Sequence, residues 1–150
     1  MPTRIEKRTQ AFFKAYSKRS NDALKDPLVE DIDGVVASFA PYFVEASPAG
    51  VQGGKNGWSF RRMIPKGFAR YRAAGGKRME AVGVEVTPLD SSNVMARVDW
   101  EFDYVRPKDG KAGTIAFQNI YFLNFADGDP KIFAYITPDE AAAMKKAGLA

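Results

Sequence analysis

The chain has 150 residues, one domain's worth of sequence, and a domain of that size buries roughly 70% of its unfolded surface, so a closed core needs no covalent staples. It contains no cysteine, which excludes disulfides, thiolate nucleophiles and most zinc sites. It contains no histidine either, which excludes Ser-His and His-metal chemistry and leaves Asp, Glu, Tyr, Lys and Ser to handle protons. The net charge of +4 is modest but unevenly placed: no acid occurs between Glu45 and Glu80, an interval holding Lys55, Arg61, Arg62, Lys66, Arg70, Arg72, Lys77 and Arg78. The aromatic load of 13% is high, and so many rings must be packed in a core or around a lined cavity.

The first residues, Met-Pro-Thr-Arg-Ile-Glu-Lys-Arg, are charged with no apolar run behind them, which predicts a cytoplasmic protein without a signal peptide or membrane span. Thr3 followed by Glu6 is a capping box opening a helix whose apolar positions Ile5, Phe12, Phe13 and Tyr16 recur at helical spacing, with Asn21 and Asp22 at its end. Asp26-Pro27 predicts the start of a second helix, running through Val35, Val36 and Phe39 to a stop at Pro41. A strand follows over Tyr42 to Ser47. The glycine-rich stretch from Pro48 to Gly54 reads as a turn.

Asn56 is placed to cap a third helix, with Trp58, Phe60, Ile64, Phe68 and Tyr71 on one side and a kink expected at Pro65. Gly75-Gly76 closes it. The period then changes to two. Val82, Val84 and Val86 alternate with Gly83 and Glu85, and Val94, Ala96, Val98, Trp100, Phe102 and Tyr104 alternate with Arg97, Asp99, Glu101 and Asp103, as in half-buried antiparallel strands. Beyond the polar hairpin Pro107 to Gly113, one face carries Ile115, Phe117, Asn119, Tyr121, Leu123 and Phe125. A last strand covers Ile132 to Thr137, and Thr137-Pro138-Asp139-Glu140 opens a short helix. The whole is an α+β plan, a single domain over 1–150 with helices against one face of an antiparallel sheet.

This order, with the join Val36 to Gly50 running from helix end into strand with almost no loop, resembles the nuclear transport factor 2-like superfamily, which includes SnoaL-like cyclases and ketosteroid isomerases. The resemblance covers essentially the whole chain. It implies a cystatin-like, cone-shaped sheet wrapped around the long first helix, an apolar cavity on the concave face, and a homodimer through the sheet. It implies no cofactor and no metal.

The resemblance also permits a comparison residue by residue. The hydrogen-bonding tyrosine of ketosteroid isomerases falls on Tyr16, their general-base aspartate on Ser47, and their second oxyanion-hole acid on Tyr121. A serine hydroxyl with no base beside it cannot take a carbon-bound proton, so steroid isomerase activity is not expected. Arg97-Val98-Asp99 matches the strand motif of epoxide hydrolases of the same superfamily. Their further aspartate lines up with Thr137, and the alternation turns Arg97 and Asp99 outward unless a bulge reverses it. SnoaL-like cyclases rely on an aspartate with histidine nearby, and this chain has no histidine.

The expected ligand-binding set is therefore Tyr16, Ser47, Trp58, Phe60, Trp100, Phe117, Asn119 and Tyr121. The plainer reading of Tyr16 and Tyr121 is as core rings whose hydroxyls meet backbone carbonyls. Asn119 interrupts an apolar face, where an unsatisfied amide costs roughly 1–3 kcal/mol, so it meets a ligand, a water or a partner in the protein. Glu45 is a candidate general base or acid if buried at the cavity, and a rim residue or ion-pair partner of the third helix otherwise. Asp99 is the second candidate carboxylate. Arg62, Lys66 and Arg70, spaced by four, share a face that is either solvated or attracts an anion. No aromatics interleave with them, so no nucleic-acid partner is expected. The function expected is that of a small-molecule-binding domain for an apolar, acidic ligand. The alternatives are a cofactor-free isomerase, cyclase or dehydratase using Glu45 or Asp99, and a protein-interaction module.

Overall fold

The computed structural model describes residues 2–149. Helix α1 spans Arg4–Asp22, and the Thr3 hydroxyl caps it by accepting the Glu6 N–H at 3.2 Å. Its inward stripe includes Thr9, Phe13 and Ser17. Three polar side chains tie α1 to β3 (Gly76–Pro88), an edge strand: Gln10 donates to the Val84 carbonyl at 2.7 Å, Ser17 accepts the Ala81 N–H at 3.0 Å, and Asn21 accepts the Met79 N–H at 2.8 Å. Helix and edge strand thereby satisfy each other, which removes the unpaired backbone groups an open edge would present.

Helix α2 is shorter than the sequence predicts, Ile32–Ala37 rather than Asp26 to Pro41. Asp31 is the cap, its carboxylate accepting the Gly34 N–H at 2.9 Å, and Ser38 ends the helix. Strand β1, Phe39–Ser47, begins before Pro41 because Phe39 already pairs with Ile132. The glycine-rich stretch read as a turn is itself a strand, β2 (Gly50–Lys55), in an antiparallel hairpin with β1. One of its glycines has a steric reason: a Cβ on Gly53 would lie 2.6 Å from the Phe43 carbonyl oxygen, inside contact distance.

Helix α3 spans Trp58–Ala73 and runs on through Pro65. Its cap residue is Gly57, without a side-chain bond. Asn56, the expected cap, instead donates to the carbonyls of Val36 and Phe39 at 3.0 and 3.1 Å and locks the helix-to-strand join. Gly75 leaves α3 with φ +90°, where a Cβ would meet the Val105 carbonyl oxygen at 2.0 Å. Strands β4 (Asn93–Val105), β5 (Ala112–Asn124) and β6 (Lys131–Ile136) follow, then helix α4 (Glu140–Lys146).

The six strands form one curved, unclosed sheet in the order β2-β1-β6-β5-β4-β3. The pairing of β1 with β6 is parallel and the other pairings are antiparallel. Val94, Ala96, Val98, Trp100 and Phe102 of β4 are buried on the concave side, with Phe13 of α1 packed against Tyr121 of β5 at a ring separation of 4.9 Å.

Candidate functional site

Between the concave face and helices α1, α3 and α4 lies a cavity of about 870 Å³, in the upper part of the range of about 300–1,000 Å³ typical of small-molecule sites. Ten of the residues lining it are aromatic, among them Tyr16, Phe60, Trp100, Phe117, Tyr121 and Tyr135. Phe60, Phe68 and Tyr71 reach it from α3, where spacings of eight and three residues keep them on one face.

Its polar floor is built on β4 and β5. The Tyr121 hydroxyl accepts two hydrogen bonds, from the Trp100 indole N–H at 3.1 Å and from the Asn119 amide at 3.0 Å. Asn119 and Tyr121 are two residues apart on one strand and therefore share a face. With both acceptor sites used, Tyr121 keeps one hydrogen to donate, and the buried Asn119 Oδ1 has no partner among the described residues. One wall thus offers a free donor and a free acceptor side by side.

A second polar feature comes from β1 and β6. The Tyr135 hydroxyl donates to Glu45 Oε2 at 2.9 Å, in a pair set by the direct register of the two residues across the parallel strands. Burial pushes the Tyr135 hydroxyl well above its ordinary pKa, and the neighbouring Glu45 charge adds to that. Tyr16 is pushed up to about 12 by burial, against the opposing pull of Arg19. Tyr121 is likewise raised by burial, and Tyr71 by burial and then by Glu140. At neutral pH all four hydroxyls are protonated donors.

Of the residues singled out in the sequence, Tyr16, Glu45, Phe60, Trp100, Phe117, Asn119 and Tyr121 come together on the cavity wall. Three do not. Trp58 is 73% exposed, because it lies two residues, about 200° of helix, from the inward Phe60. Ser47 ends β1, where its hydroxyl accepts the Ala49 N–H at 3.2 Å and closes the turn into β2. Asp99 projects from the convex face, where Gln118 donates to it at 2.6 Å, since Val98 and Trp100 on either side of it face inward. Glu45 is bonded to Tyr135 rather than to a basic residue of α3. Arg70 leaves the outer basic face to reach the cavity rim, where it pairs with Glu140 of α4 at 3.3 Å.

Sequence reasoning missed Phe43, Tyr135 and Glu140. The period that placed Glu45 inward carries Phe43 with it, so that signal was available. For Tyr135 there was none: simple alternation separates it from Ile132, and a register shift between the pairs Phe122–Ala134 and Leu123–Ile132 puts both on the concave side.

The family model of the NTF2-like proteins designated DUF6841 matches residues 6–140. The chain belongs to this family. No curated protein matches it significantly in sequence. In fold it is similar to an NTF2-like protein of unknown function from Shewanella oneidensis, at TM-score 0.64 and 15% identity over 89% of this chain and 98% of that one. A ketosteroid isomerase-like protein from Erwinia carotovora aligns at TM-score 0.58 and 18% identity, over 89% and 92%. An NTF2-like superfamily protein from Salmonella enterica aligns at 0.59 and 14%, over 91% and 94%. At such identities the likeness concerns the fold.

Proposed function

We propose that this NTF2-like chain binds a small apolar molecule in the concave cavity. One observation carries the reading: a buried hydroxyl that has accepted two N–H donors keeps its own hydrogen, beside a buried amide oxygen with no partner. A core built only for packing would satisfy both, because an orphaned buried polar group costs about 1–3 kcal/mol. A ligand with an acceptor and a donor near each other, such as a hydroxyketone or a carboxylic acid, would satisfy them. Native mass spectrometry and thermal-shift screening with steroids, aryl ketones and apolar acids should find a ligand that raises the melting temperature. A panel that leaves the protein unmoved, with Tyr121→Phe indistinguishable from wild type in it, would refute the reading.

A second reading, a cofactor-free isomerase, cyclase or dehydratase, is favoured by the Glu45–Tyr135 pair. It places a carboxylate beside tyrosine hydroxyls on the cavity wall, away from the Arg70–Glu140 pair at the rim, as a general base at a cavity of tyrosine donors requires. Glu45→Gln would abolish turnover of a bound ligand and preserve its binding.

The convex face of β1, β2 and β6 exposes Val44, Val51 and Ile136, and a second copy of the chain is the occupant we favour for it, in a cytoplasmic protein. Ile136→Lys would then shift the sedimentation coefficient toward that of the monomer. No helix among the described residues is long and apolar enough to cross a membrane.

A further inference from the structure

A smaller cavity of about 170 Å³ opens between α1, α2 and α3, and its wall includes Tyr16, Phe60, Phe68 and Tyr71, which also line the large one. Apart from Arg19 that wall is uncharged. The Arg19 side chain is half-buried, with its guanidinium 5.8 Å from the centre of the Tyr16 ring. One terminal nitrogen, Nη2, donates to the Ser38 hydroxyl at 2.7 Å. Nε is buried and has no partner among the described residues.

What distinguishes Arg19 is that none of the acids around it is bonded to it. Asp22 pairs with Lys18 and Lys25, Glu30 with Arg72 and Asp33 with Arg61, while Asp31 caps Gly34. None of them forms an ion pair with Arg19. A guanidinium withdrawn from water is costly unless an anion accompanies it, and arginine grips a carboxylate side-on through Nε and Nη2, which share one edge of the group. Nε is the atom left without a partner here.

We propose that Arg19 is the carboxylate anchor of the ligand site, holding the acid group in the small cavity while the apolar body of the ligand lies in the large one. The inference rests on the cavity being a ligand site and adds to it the chemical class, an apolar monocarboxylic acid. It also separates the acid's position from the Tyr121–Asn119 floor, which is left to a second polar group on the same ligand.

Octanoate and octanamide, equal in length and differing in charge, make the test, titrated by calorimetry into wild-type protein and Arg19→Gln. Wild type should prefer octanoate by about tenfold, the gain of one charge-assisted contact. Arg19→Gln should lose that preference while binding octanamide as before. Equal affinity of wild type for the two probes, or an unchanged preference in Arg19→Gln, overturns the anchor and leaves the cavity reading standing. If neither probe binds, the anchor is overturned and the cavity reading is left to the panel of steroids and aryl ketones. If Arg19→Gln fails to fold, Arg19→Lys serves instead: it keeps the charge without the fork, so the preference should fall to about threefold, and full retention counts against the proposal.

Discussion

The concave and convex faces of strands β4 and β5 are made from alternate residues of the same segments, yet they treat polar groups in opposite ways. On the convex face most of the polar groups are paired with one another. Arg78 donates to Glu80, to Glu101 at 3.2 Å and to Asp103 at 3.1 Å, Thr114 donates to Asp103 at 2.7 Å, and Gln118 to Asp99. On the concave face the Tyr121 hydroxyl and the Asn119 amide, whose Oδ1 is buried, are left half satisfied. A surface in contact with water can leave partners to the solvent, whereas a buried wall cannot, so incomplete pairing inside is the more informative state. Capacity for recognition therefore resides on the concave side, although the convex side carries more charge.

The sharpest way to stress this contrast is alkaline pH. Tyr16, Tyr71, Tyr121 and Tyr135 have hydroxyl pKa values raised by burial in the folded state, above the ordinary value of 10.0. Their neutral forms are the ones the fold accepts, so that part of the stability is fully present below pH 10 and is lost as pH rises through the folded-state values. For Tyr16 alone, a rise to about 12 corresponds to roughly 2–3 kcal/mol. Denaturant midpoints should hold up to pH 10 and then drop steeply, with the tyrosinate absorbance of these four groups appearing only as the protein unfolds. Early ionisation of all four without unfolding would show a wet, loosely packed wall.

A smaller effect is expected from Tyr121→Phe, which removes the acceptor shared by Trp100 and Asn119 and strands two buried donors. Urea denaturation should register a loss of about 1–3 kcal/mol. Arg78→Gln on the convex face removes more formal bonds but should cost less than about 1 kcal/mol, diminishing with salt, because its partners can turn to water. The reverse ranking would contradict the division between the two faces.

Much of the fold is legible in the sequence because its signals are periodic. The period-two runs of β4 and β5 fixed which residues face inward, and Thr3 with Glu6 marked the start of α1. What is not legible depends on contacts made far along the chain. Gly53 of β2 is a glycine because β1 passes close to it, a reason absent from the local sequence. The early end of α2, before Pro41, follows from Phe39 pairing with Ile132, 93 residues away. In the site, Asn119 stood out as a polar residue on an apolar stripe, whereas the pairing of Glu45 with Tyr135 needed the parallel register of β1 and β6. Trp58 shows the limit of ring counting: an aromatic residue two positions from an inward one on a helix faces away from it.

The two tryptophans supply the most direct measurement, because Trp100 is 3% exposed on the cavity floor and Trp58 is 73% exposed outside it. In ¹⁵N-labelled protein each indole N–H gives its own resonance. A ligand in the cavity, competing for or polarising the Tyr121 hydroxyl, should move the Trp100 signal and leave that of Trp58 in place. Ligands that perturb only Trp58, or a Trp100 resonance unmoved by any molecule that raises the melting temperature, would contradict the assignment of the concave cavity as the binding site.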